Sequence, residues 1–171
     1  MTYSQKTSAI KARMKRLPKI YKDYIYTARK RDAKDFISYW RSGLLNNEFK
    51  LTPLADRTIQ YKIQLAYAKP QNPLYGLGLE GAHTYIKGMR IFRTAKGYVA
   101  RMTGKHHDSK IDNHGLLLIH EYGCTLKNGG RIPARPAMHE AYKRVLKDIK
   151  KRDSAMMSKI NAYLRSGVWK D

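Results

Sequence analysis

Residues 116–145 read LLLIHEYGCTLKNGGRIPARPAMHEAYKRV, and this stretch decides the class of fold. Residues 116–122 form a short apolar run closed by Gly123. A buried strand and a short helix both remain open for it, because periodicity cannot separate them over so few positions. Residues 126–131 (LKNGGR) are a Gly-rich turn or hairpin. Pro133 and Pro136 stiffen the next segment, and Pro136 opens a helix at a position where its missing N–H costs nothing. Ala137, Ala141, Val145, Ile149, Met156, Ile160 and Leu164 then keep helical phase until Gly167 ends it.

Upstream, residues 85–94 and 98–103 read as two strands around Ala95-Lys96-Gly97, a hairpin loop. Residues 104–113 are polar and turn-like. Residues 69–81 (KPQNPLYGLGLEG) hold two Pro and three Gly and read as an exposed loop. Thr52-Pro53 predicts a helix start, with Thr52 as N-cap and the helix running to about residue 68. Further back, Tyr21, Tyr24, Ile25, Ala28, Phe36, Ile37, Trp40 and Leu44 follow helical spacing. They predict a helix of roughly seven turns from Pro18 to Gly43 and Asn46–Asn47. Residues 1–17 read as a basic flexible arm, and 18–171 as a single domain. The class is α+β: a long N-terminal helix, a small antiparallel β-sheet and a long C-terminal helix.

The chain has 171 residues, and its 42% hydrophobic content places it among globular proteins rather than disordered ones. Its single cysteine, Cys124, excludes an internal disulfide framework and suits a reducing compartment. No apolar run approaches the roughly 18 residues of a membrane span, and the basic start lacks the apolar stretch of a secretory signal. Neither secretion nor a membrane partner is expected. Charge is the strongest feature: 35 Lys and Arg against 13 Asp and Glu give +22. Residues 1–50 carry +9, residues 51–130 carry +6 and residues 131–171 carry +7, so the excess is no detachable tail. Such a field favours polyanions, above all nucleic acid, through counterion release.

Chemistry-bearing clusters are sparse. His106, His107, Asp108, Asp112, His114, His120 and Glu121 are dense enough to suggest Zn²⁺ or a nuclease metal, but no HExxH or paired-ligand spacing accompanies them. Asn113-His114 faintly suggests an HNH-type general base. Cys124 lies four residues after His120, a weak setting for a nucleophile. Gly76, Gly78 and Gly81 imitate a dinucleotide loop without the strand that should precede it. No enzyme, no metal and no cofactor is expected.

The motif pair Ile119-His120-Glu121-Tyr122-Gly123 and Ile132-Pro133-Ala134-Arg135-Pro136 resembles the phage neck and tail-completion proteins grouped as gp-ten-like putative tail components. In that family an apolar run ending in a similar motif precedes a Pro-Ala-Arg-Pro element that opens the C-terminal helix. The likeness covers about 30 residues by motif and the rest by order of elements. The family's threonine-glycine-x-leucine-x-x-serine stretch has no residue-by-residue counterpart here. The resemblance implies a structural virion protein of a tailed bacteriophage, at the head-to-tail junction and assembled in the host cytoplasm. It would form a homo-oligomeric ring, six- or twelve-fold, between portal or adaptor and tail-terminator or tail-tube proteins, through which DNA passes.

Under that reading His120, Glu121, Tyr122, Gly123, Pro133, Arg135 and Pro136 are structural or interface residues. Arg135, held between two prolines, is expected to pair with Glu121 as a brace between helix and sheet. Lys6, Lys11, Arg13, Lys15 and Arg16 are expected to touch a polyanion, giving non-specific proximity to DNA. The alternative is a nucleic-acid-binding module or an HNH-like metal-dependent nuclease built on the basic helices and the histidine cluster.

Overall fold

A computed structural model describes residues 3–64, 66, 69–74, 88–104 and 112–169. In chain order the elements are α1 (Tyr3–Leu45), α2 (Asp56–Gln64), β1 (Met89–Thr94), β2 (Gly97–Met102), α3 (Asn113–Tyr122), β3 (Cys124–Thr125), β4 (Arg131–Ile132) and α4 (Ala137–Ser166). Both sheets are two-stranded and antiparallel, β1 with β2 and β3 with β4. The fold is α+β, with long helices at either end of the chain order. Residues 85–87, part of the first expected strand, lie outside the described residues, as does most of the expected 69–81 loop.

The chain forms two compact units: Met1–Asp32 with Leu146–Asp171, and Ala33–Val145. The expected boundary after residue 17 therefore coincides with no break, because α1 begins at Tyr3 and runs straight through it. Pro18 lies inside that helix and does not open it. An interior proline forfeits one helical hydrogen bond, at a cost of about 3 kcal/mol. Contacts with α4 help to offset this. Arg13 Nη1 donates to the carbonyls of Leu164 (2.8 Å) and Arg165 (2.9 Å), closing the end of α4. Tyr24 donates to Asp153, and Asp32 pairs with Arg152, so the two helices of this unit run antiparallel. Burial, followed by the neighbouring Asp153 carboxylate, raises the Tyr24 phenol above its ordinary pKa. Met156 and Tyr163 are buried here, and Tyr163 meets Trp169 edge-on at 5.8 Å. Gly167, at φ 78°, ends α4 as its sequence position predicts.

The unit Ala33–Val145 holds the larger core. Ile37, Trp40 and Leu44 enter it from α1 at helical spacing, and Ala137 and Ala141 from α4. Leu51, Leu74, Met89, Met102 and Leu117 complete it. Trp40 and Leu44 are fully buried, each such side chain stabilising by about 1.5–3 kcal/mol. The β1–β2 hairpin follows period-2 alternation: Met89 faces Met102 and Ile91 faces Ala100 toward the core. On its other face Arg90 stands opposite Arg101 and Phe92 opposite Val99, all exposed. The Phe49 ring lies against Gly43, where a Cβ would overlap it. Arg144 stacks 5.1 Å over that ring and pairs with Glu48 at 2.5 Å. Hydrogen bonds from Arg144 and then Asn46 hold the Glu48 carboxyl below its ordinary pKa. Asn72 Nδ2 donates to the Leu44 carbonyl at 2.5 Å, covering an open acceptor at the end of α1.

α2 starts at Asp56, four residues after the expected N-cap, and Thr52 does not cap it. The Thr52 hydroxyl donates instead to the Ala134 carbonyl at 3.0 Å, a partner 82 residues away. The ambiguous run at 116–122 is helical. Asp112 caps α3 by accepting from the Gly115 N–H at 2.7 Å, and Gly123 closes it by donating to the Ile119 carbonyl at 2.8 Å.

Candidate functional site

The two motif halves meet where α3, the β3–β4 ladder and the start of α4 join. Gly123 makes the junction: its φ is 74°, and a Cβ there would stand 2.7 Å from the Ile132 carbonyl oxygen and 2.9 Å from the Ala134 nitrogen. Only glycine satisfies both the backbone conformation and the close approach. Glu121, on the last turn of α3, is buried and points at the start of α4. Its Oε2 accepts from the Met138 N–H and its Oε1 from the His139 N–H, each at 2.9 Å. These are the second and third residues of α4, whose N–H groups have no partner within the helix. A carboxylate is the favoured group there, since it also meets the positive end of the helix dipole. Pro136 supplies the first helical acceptor, its carbonyl taking the Glu140 N–H at 3.1 Å.

Arg135 is only 5% exposed, yet it does not pair with Glu121. Its Nε donates to the Thr52 carbonyl at 2.9 Å and its Nη2 to the Pro53 carbonyl at 3.1 Å. Its backbone N–H donates to the His120 carbonyl at 2.5 Å. The expected Glu121–Arg135 ion pair is corrected on this geometry. The carboxylate is drawn to backbone donors at a helix start, and the guanidinium to backbone acceptors before α2. Each side chain holds main-chain groups instead, Glu121 at the start of α4 and Arg135 in the segment before α2.

Lys62 is the buried cation that the sequence did not reveal. Its Nζ donates to the Asn72 carbonyl at 2.8 Å and the Pro73 carbonyl at 3.4 Å. Burial, aided by the Arg135 charge, lowers its pKa to about 8. His120 is pushed to about 4 by burial first, then by Arg135 and Lys62, so it is neutral at physiological pH. Burial alone lowers Arg135 from its ordinary value. Nothing in the local pattern of 56–64 marks Lys62, because its partners lie ten and eleven residues away in a turn. Tyr122 stands apart from the cluster at 75% exposed, while Pro133 is half-buried.

The histidine-rich cluster is not brought together as a site among the described residues. His106, His107 and Asp108 lie outside them, as do Gly76, Gly78 and Gly81. Asp112 is committed to its cap and His114 is exposed, while both Glu121 oxygens hold α4. Cys124 is a free, half-buried thiol in β3. No group of three His, Cys, Asp or Glu side chains with metal-binding geometry occurs among the described residues. No described helix is long and apolar enough to cross a membrane.

Of the expected polyanion contacts, Lys6, Lys11, Lys15 and Arg16 are exposed on α1. Arg13 is half-buried and spent on the end of α4. Lys11, Lys15, Lys19 and Lys22 recur every three or four residues and so share one exposed helix face. The unit containing them carries 17 Lys and Arg against five Asp. Comparison with known protein families, curated proteins and solved structures returned no match.

Proposed function

We propose that this chain is a structural, non-catalytic virion protein of a tailed bacteriophage, a ring-forming subunit of the head-to-tail connector through which DNA passes. The reading is supported by one observation above others. Within the motif that resembles neck proteins, the two charged side chains are taken up by backbone partners. Glu121 holds two N–H groups of α4, and Arg135 holds two carbonyls before α2. A motif spent in this way sets the angle at which a long helix leaves a small sheet, which is a scaffold's task. Lys11, Lys15, Lys19 and Lys22 present a basic face on exposed helical surface, suited to DNA or to acidic neighbouring rings.

The test is removal of the reading frame from a phage genome, followed by electron microscopy of the lysate. The expected result is filled heads without joined tails, restored by supplying the chain in trans. Normal tailed, infectious particles without it would overturn the proposal. Divalent-metal-dependent DNA cleavage by the purified chain, abolished by His114→Ala, would overturn it in favour of a nuclease.

A further inference from the structure

A shallow groove of about 690 Å³ lies within the unit Ala33–Val145, between the last turns of α1 and the outer edge of β1. Ile37, Met89 and Ile91 form its apolar floor, and Lys34, Arg41 and Arg90 stand around it. Among the described residues, no acidic side chain lines it. The phase of the β1–β2 ladder determines what the edge offers. Thr103 donates to the Gly88 carbonyl at 2.9 Å, so Gly88 bonds toward β2 and alternate residues Arg90 and Phe92 do likewise. Met89 and Ile91 therefore turn their main-chain groups outward. Arg41 Nη2 reaching the Met89 carbonyl at 3.3 Å agrees with this, and Ile91 presents an N–H and a C=O to the groove.

We infer that this groove is a docking site for an extended acidic segment of a different protein, which adds to the β1 edge as a third strand. Main-chain bonds to Ile91 would supply affinity and set register, and alternate side chains would supply specificity. Those beside Ile91 meet the apolar floor, with Lys34 and Arg41 at its rim, and those beside Arg90 share the exposed face of Arg90 and Arg101, so the fitting segment alternates apolar and acidic residues. This chain cannot supply such a segment from a second copy. Its closest acidic residues, Asp32 and Asp35, are three apart, and no two stand at alternate positions. Duplex DNA has phosphates for the cations but nothing to cover an apolar floor. The inference needs only the isolated chain and stands apart from the connector reading.

The experiment is fluorescence anisotropy on the full chain, with a labelled Glu-Val alternating octapeptide as probe. Its Gln-Val counterpart and a version N-methylated on one edge are the comparison peptides. Binding of the Glu-Val peptide is expected, at least tenfold weaker for either comparison peptide. It should also weaken at least tenfold in Lys34→Gln/Arg90→Gln, a variant of two exposed residues whose fold is checked by circular dichroism. The Lys50→Gln/Lys127→Gln variant, at two exposed residues that do not line the groove, should bind as the unaltered chain does. Equal affinity of the groove variant, indifference to N-methylation, or no binding at low salt would each overturn the inference. Duplex DNA that displaces the peptide and itself loses affinity in Lys34→Gln/Arg90→Gln would reassign the groove to nucleic acid. Failure here would leave the particle-assembly phenotype untouched, so the two proposals fall separately.

Discussion

Replacing Glu121 by alanine tests the brace most directly. Two N–H groups of α4, those of Met138 and His139, would lose a buried ionised acceptor that each now reaches at 2.9 Å. A hydrogen bond to a charged group contributes about 1.5–3 kcal/mol net. Losing both, with the favourable charge at the helix start, should cost about 3–5 kcal/mol. Domains of this class have roughly 5–15 kcal/mol in all, so the loss is a large share of it. At about 2–4 °C per kcal/mol the melting midpoint should fall by roughly 10 °C or more. Glu121→Gln keeps one oxygen and should lose about half as much. Urea unfolding followed by circular dichroism gives the free energies. A loss below about 1 kcal/mol for the alanine variant would refute the reasoning, because the cap would then be carrying almost nothing.

Gly123→Ala should destabilise by about 2–4 kcal/mol, since the left-handed backbone and a Cβ against two main-chain atoms act together; a midpoint shift of under 2 °C in a thermal melt would contradict it. His120 should make the protein acid-sensitive. Its folded pKa of about 4 lies below the ordinary 6.5, so the unfolded chain binds the extra proton first. Stability should then drop as pH falls from 6.5 to 4, by up to about 3 kcal/mol, and level off below. His120→Gln should flatten that slope in denaturant titrations at stepped pH. Weak, sequence-independent DNA binding is expected, with residues 1–16 contributing four phosphate contacts from Lys6, Lys11, Lys15 and Arg16. Deleting them should reduce the log–log salt slope by about 3.6 on duplex DNA; an unchanged slope in filter binding would place the contacts elsewhere.

Much of the fold could be read locally. Pro136, the apolar phase from Ala137 onward and Gly167 delimit α4 within one residue of its observed ends. The hairpin announced itself through alternating side chains and a Gly97 whose φ of 132° the turn requires. What escaped depended on partners far along the chain. Pro18 is a good helix opener by its own chemistry, and only the grip of Arg13 on carbonyls 151 and 152 residues away shows the helix continuing beneath it. Thr52 looked like a cap because nothing nearby reveals that its hydroxyl serves Ala134. Matching the opposite charges of Glu121 and Arg135 missed that each would find main-chain groups. Lys62 gave no signal at all, its burial being a property of the turn at Asn72–Pro73.

Pro18 carries one more consequence, for the way α1 comes apart. With no N–H at that position, the Met14 carbonyl loses its helical donor, and the ladder of bonds that makes a helix melt as one piece is interrupted there. In the turns before it, Arg13 bonds the carbonyls at the end of α4. Amide hydrogens in residues 3–17 should therefore exchange with solvent deuterium on a clock of their own, by local fraying rather than through the opening of the Trp40 and Leu44 core. A helix that is continuous in form should thus breathe as two segments.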